Sequence, residues 1–137
     1  MKIVKDNIEN FGYIPNRKVT YHKELAKGKW FTFSFDEQMG NVGTEIGRTI
    51  IWKDENERLS EGALERGLEL LDLTIDDPKN NKEELLEIRK SLIDYFCSGK
   101  FDDDSNKKWD DYFYKFAYAA EVEREKRYSA KVLTPNT

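Results

Sequence analysis

At 137 residues and a net charge of −4 the chain is one domain in size, and about two-thirds of its unfolded surface can be buried, enough for a core without staples. Its single cysteine, Cys97, excludes an internal disulfide and any multi-cysteine metal cluster, and the lack of an apolar N-terminal run points away from a membrane span or export and toward the cytoplasm. With 23 basic against 27 acidic side chains there is no general electrostatic pull toward nucleic acid, which is not an expected partner.

Residues 1–33 carry Gly12, Pro15 and Gly28 between short apolar–polar alternations at 2–5 and 18–21. Breakers this close together predict an extended arm, with at most a short two-stranded β-hairpin, lying on whatever follows. Trp30, Phe31 and Phe33 crowd together just ahead of the first long periodic segment and are expected to dock the arm on the core.

Four periodic segments come next. The first opens at Ser34 with Glu37 three residues on, the spacing of a reciprocal side-chain cap, and places Phe35, Met39, Val42, Ile46 and Ile50 on one stripe ending near Asp54. Gly40, Gly43 and Gly47 flank that stripe. Each glycine costs a helix about 1 kcal/mol relative to alanine, so this density predicts another backbone approaching closely. The second helix runs from Ser60 to about Asp76 on Leu64, Leu68, Leu71 and Ile75, and Asp77-Pro78 stops it. The third spans about Lys82 to Ser98 ahead of Gly99. Its apolar arc of about 200°, from Leu85 to Cys97, predicts the most buried helix of the set.

The fourth helix begins near Ser105 and carries Trp109, Tyr112, Phe113, Phe116 and Ala120 on one side; past Glu121 the sequence turns to mixed charge. Short polar loops near 55–59, 77–81 and 99–104 predict antiparallel neighbours. The expected organisation is all-α: an arm over 1–33, an antiparallel four-helix bundle over 34–127 and a flexible tail over 128–137.

The sequence holds no glycine-rich phosphate loop, no G-x-S-x-G elbow and no zinc-helix motif, and one histidine cannot furnish a di-iron bundle site. No catalytic residue, metal ligand or cofactor is assigned. His22, in the arm, is the only side chain whose ordinary pKa lies near neutrality, and Cys97, at the edge of an apolar arc, reads as a small hydrophobe. Glu61, Glu65, Glu69, Asp72 and Asp76 form an acidic ridge beside the core stripe of the second helix, read as a solvated face.

Two other groups ask for partners. Arg89 points with Leu85, Leu92 and Phe96 into the arc to be buried, where a guanidinium must be paired. Asp72 and Glu45, each bordering its own core stripe, are the candidate carboxylates, with an anionic ligand as the alternative. On the fourth helix Tyr114, Tyr118 and Val122 lie about 140–220° from Trp109, opposite the core. Tyrosine is favoured at interfaces because it brings area with few rotors and a polar tip, so this row is the candidate surface for a homodimer or protein partner.

Lys29-Trp30, Glu37-Gln38-Met39-Gly40-Asn41-Val42-Gly43, Ile51-Trp52-Lys53, Leu68-Glu69-Leu70-Leu71-Asp72-Leu73-Thr74, Asp94-Tyr95-Phe96 and Tyr112-Phe113-Tyr114 together resemble a family of small, mostly uncharacterised prokaryotic helical-bundle proteins. That resemblance implies the bundle and names no reaction. Arg17 and His22, with four residues between them, are similar to the catalytic pattern of HEPN-type bundles, although in that family the pattern lies on a late helix. The likeness implies an RNase, or the partner of a small nucleotidyltransferase in a toxin–antitoxin type system. Glu69-x-x-Asp72 and Glu84-x-x-Glu87 resemble, in reversed order, the carboxylate pairs of MazG-type nucleotide pyrophosphohydrolases, which use Mg²⁺. The residues themselves favour a non-enzymatic bundle that acts through protein–protein interaction, as a homodimer or the small subunit of a complex. The HEPN-like and MazG-like readings stand as alternatives.

Overall fold

Ser34 starts the first long helix by local chemistry alone. Its hydroxyl accepts from the Glu37 amide at 3.1 Å while the Glu37 carboxylate accepts from the Ser34 amide at 3.2 Å, so two amides the helix cannot satisfy itself are satisfied reciprocally. A computed structural model describes residues 12–133, and every regular element among them is helical. In chain order they are α1 (Lys23–Ala26), a 3-10 turn (Lys29–Thr32), α2 (Phe35–Trp52), α3 (Glu57–Asp76), α4 (Lys82–Cys97) and α5 (Asp103–Leu133). The alternation at 2–5 and the closing Thr-Pro-Asn-Thr lie outside the described residues.

Caps explain where the helices begin. α3 starts three residues before Ser60 because Asn56 accepts from the Leu59 amide at 3.1 Å. Ser60 is buried one turn inside, where its hydroxyl donates to the Thr49 carbonyl at 2.7 Å. Asn81 caps α4 through the Glu84 amide at 3.1 Å. Asp102 accepts from both the amide and the hydroxyl of Ser105 and opens α5, and those bonds hold its carboxyl below the usual range. Gly99, at φ 72°, supplies the left-handed residue after α4.

α2 runs antiparallel to both α3 and α5. At one end Gln38 donates to Asp77 at 2.9 Å, and at the other Ser60 reaches Thr49. Toward α5, a methyl built on Gly40 would lie 3.3 Å from the Ala117 Cα, and one on Gly43 would meet the Phe113 Cβ at 2.5 Å. These two glycines let α5 seat against the α2 backbone. Gly47, one turn on, has open space before it and no such neighbour.

The most buried helix is α3, not α4. Ten α3 residues are buried, including Leu64, Leu68, Leu71 and Ile75, against four in α4: Leu85, Arg89, Leu92 and Phe96. α3 has α2 on one side, α4 on another and the arm on a third, whereas the flanks of the wide α4 arc, Leu86, Ile88, Ile93 and Cys97, are only half-buried. A fully buried leucine contributes roughly 1.5–3 kcal/mol, so the larger share of apolar stabilisation belongs to α3.

The arm docks through Trp30, which is fully buried, stands edge-on to Phe33 at 5.6 Å and donates its indole N–H to Thr74 Oγ1 at 3.2 Å. Around it Gln38 donates to the Trp30 carbonyl and to Asp77, and Asn80 donates to Gln38 Oε1 and to the Thr74 carbonyl. No buried side-chain donor or acceptor among the described residues lacks a partner, so this cluster fixes the arm's position at little desolvation cost. α5 continues to Leu133, past the boundary expected at 127. At 1.5 Å per residue its 31 residues span about 46 Å, against about 27 Å for the 18 of α2. Among the described residues no helix is long and apolar enough to cross a membrane.

Candidate functional site

Two outer faces of the molecule carry unusual chemistry, one on α3 and one on α5. On α3, Glu65, Glu69, Asp72 and Asp76 follow one another at helical spacing along the flank of the core stripe. This ridge is covered by the arm. Glu69 accepts from the amides of Thr20, Tyr21 and His22 at 2.8, 2.9 and 2.7 Å, and the His22 Nδ1 lies 3.1 Å from the same carboxylate. Tyr21 donates its hydroxyl to Glu65 at 2.6 Å, Tyr13 donates to Asp76, and the Asn16 amide also turns toward Asp76. The hydrogen bond to Glu65 followed by burial raises the Tyr21 pKa, and burial followed by the bond to Asp76 raises that of Tyr13.

Of the two alternations that could form a hairpin, the one at 2–5 lies outside the described residues; the one at 18–21 is not a strand, and the Thr20 and Tyr21 amides donate to Glu69. Asn16, at φ 54°, makes the turn that lets Tyr13 and Tyr21 face the same helix. Beneath the arm lies a cavity of about 390 Å³, bounded by Arg17, Val19, Leu68, Asp72 and Arg89 among others.

Arg89 donates to Asp72 through Nε at 2.6 Å and through Nη2 at 3.3 Å, a two-pronged contact with side chains only 5% and 13% exposed. Burial raises the Asp72 pKa and the guanidinium opposes that rise, the balance expected of an ion pair in a poorly solvated site. Glu45 is elsewhere: it accepts from Arg48 at 2.7 Å and Arg66 at 3.1 Å, bridging α2 and α3. Glu84 and Glu87 are exposed on α4 and do not join Glu69 and Asp72, and no group of three or more His, Cys, Asp or Glu among the described residues is arranged to hold a metal ion. Arg17 and His22 both sit in the arm, His22 on Glu69 and Arg17 at the cavity wall. Burial, then Asp94, raises the pKa of the half-buried Cys97 thiol, which disfavours the thiolate.

α5 carries two seams of alternating four- and three-residue spacing, the pattern of a helix that packs lengthwise on another helix. The inner seam, Trp109, Phe113, Phe116, Ala120, Glu123 and Arg127, is occupied by α2 along its length: Phe113 lies against Gly43, Phe116 is edge-on to Phe35 at 5.5 Å, Glu123 accepts from Ser34 at 2.8 Å, and Arg127 lies 3.7 Å from Glu37. Asp36 joins this end: its hydrogen bond to Glu123, then burial, pushes its pKa up to about 6, and the same bond holds Glu123 low.

The outer seam faces away. Tyr114 is 67% exposed and Tyr118 59%, their rings 6.3 Å apart. Val122 is half-buried and about 80° round the helix from Tyr114, so it does not continue the row. Instead the row runs through Glu121 and Glu125 to Tyr128, 71% exposed, and Val132, 63% exposed. Both lie in the stretch expected to be a tail, and their spacing from Tyr114 and Tyr118 is the signal in the sequence that sets them on the row. Compared with known proteins, the chain matches no family profile, no curated protein and no solved structure.

Proposed function

We propose that this chain is a non-enzymatic binding protein of the cytoplasm, an antiparallel four-helix bundle that acts through protein–protein association along the outer seam of α5. One observation carries the reading. Tyr114, Tyr118, Glu121, Glu125, Tyr128 and Val132 occupy six consecutive seam positions, and all six are exposed. A helix patterned for two lengthwise contacts has one of them, α2, inside the chain, which supports a second helix from outside. The aromatic content agrees, since tyrosine anchors interfaces out of proportion to its number. Residues 128–132 are helical and exposed, and a helical end of that kind gains most of its stability from packing.

Affinity capture from native lysate tests this reading, with tagged wild type and a tagged Tyr118→Glu variant as baits. A partner chain, either a second copy or another protein, is expected on the wild type and lost on the variant, with unchanged circular dichroism confirming that both are folded. Equal retention on the two baits, or none on either, overturns the reading.

A further inference from the structure

Resting on the binding reading above, we infer that the partner of the α5 outer seam is a second copy of this chain, docked antiparallel so that each seam tyrosine meets a carboxylate of the other copy. The seam extends back from Tyr114 at the same spacing through Asp111 and Lys107, both exposed, giving eight positions from Lys107 to Val132. A two-fold axis passing between Ala119 and Ala120 pairs them completely. Tyr118 then faces Glu121 of the other copy, Tyr114 faces Glu125, Tyr128 faces Asp111 and Val132 faces the stem of Lys107, and the symmetry repeats each pair.

The other registers fail on charge. Shifting one copy by a heptad in one direction sets Glu121 against Glu125 twice, and shifting it in the other sets Asp111 against Glu121 twice. A parallel pair sets Glu121 on Glu121 and Glu125 on Glu125. Like charges facing each other in a seam select against a pairing. The register centred between Ala119 and Ala120 is the antiparallel one that overlaps six or more seam positions with no such layer.

The chain already uses the same chemistry internally. Tyr21 donates to Glu65 at 2.6 Å and Tyr13 to Asp76, each joining the arm to a helix face. A phenol donating to a carboxylate is a charge-assisted hydrogen bond, stronger than one between neutral groups, while the ring covers apolar surface. Three tyrosines of about 150–250 Å² each, some two-thirds exposed, together with Val132, offer on the order of 400 Å² per copy. With the stems of the seam charges the pair approaches the roughly 1,000 Å² at which specific interfaces begin, which fits a micromolar dimer.

Sedimentation equilibrium and thiol cross-linking in a Cys97→Ser background test the inference. The wild type is expected to dimerise in the micromolar range. Tyr118→Glu should raise the dimer Kd about a hundredfold, while Tyr118→Lys, which sets a cation against Glu121, should leave it within a few-fold of wild type. An equimolar mixture of Tyr114→Cys and Glu125→Cys should cross-link with a short bis-maleimide. Neither variant alone should do so, because like positions are then offset by eleven residues, about 16 Å. Cross-linking of Tyr114→Cys to Val132→Cys overturns the register. A wild type that stays monomeric throughout the micromolar range overturns the second copy as partner. The lysate capture tells these failures apart from failure of the binding reading itself: a different protein lost on Tyr118→Glu keeps that reading, and no seam-dependent partner removes both.

Discussion

The outer faces of α3 and α5 reverse what their compositions suggest. The α3 face is a run of carboxylates, the kind of surface water covers, yet the arm closes over it and takes up Glu65, Glu69 and Asp76. The α5 face is rich in tyrosine, the kind of surface a core takes in, yet Tyr114, Tyr118 and Tyr128 are exposed. Covering depends on what the rest of the chain has left to offer. The arm presents amides, hydroxyls and an imidazole, and these suit carboxylates; nothing among the described residues presents a matching surface to the tyrosines.

The largest effect expected from breaking this contrast lies under the arm. Arg89→Met leaves Asp72 buried without its partner and should cost roughly 3–5 kcal/mol in urea melts. Adding Asp72→Asn should recover much of that loss, because the penalty belongs to the orphaned charge. A neutral or stabilising Arg89→Met would mean that the pair does not hold α4 to α3. Next comes Glu69→Leu, which removes the acceptor of three arm amides. It should cost about 1.5–3 kcal/mol and speed tryptic cleavage at Arg17 and Lys18, since bonds to a charged group are the stronger kind. Unchanged proteolysis would show that Trp30 and the tyrosine contacts to Glu65 and Asp76 hold the arm without Glu69.

The α2–α5 contact supplies a paired test of intermediate size. Gly43→Ala drives a methyl into Phe113 and should destabilise by about 1–3 kcal/mol despite its better helix propensity, whereas Gly47→Ala, facing open space, should stabilise by up to about 1 kcal/mol. Thermal melts of the two variants read the difference directly.

A smaller, pH-dependent effect belongs to Asp36. Its folded pKa of about 6 lies above the ordinary 3.8, so folding favours its protonated form. Its contribution is fully present below about pH 4 and is lost as pH rises through about 6. The stability difference between wild type and Asp36→Asn should therefore change across that window and be flat above it; a difference independent of pH from 4 to about 7 would break the link between Asp36 and Glu123. Smallest of all, Tyr118→Glu should move the stability of the dilute monomer by no more than about 0.5 kcal/mol, as expected of a surface the fold does not use. A larger loss would place Tyr118 in the monomer's own packing.

The sequence by itself determined what depends on neighbours along the chain. The Ser34–Glu37 cap, the stop at Asp77-Pro78, the left-handed Gly99 and the apolar stripes of α2 and α3 all follow from side chains within a turn of one another, where spacing sets geometry. The buried character of Arg89 was legible for the same reason. Only the tertiary structure decided what depends on which surfaces meet. Asp72 and Glu45 looked equivalent as partners for Arg89 until helix packing set Asp72 beside it and gave Glu45 to Arg48 and Arg66. Ser60 reads as the start of its helix until Asn56 takes the cap and Ser60 is buried against Thr49, and nothing in the arm's own pattern shows that Glu69 will take its amides. Backbone donors and acidic acceptors separated by nearly fifty residues leave no periodic signal, and their pairing is fixed only when the arm is laid across α3.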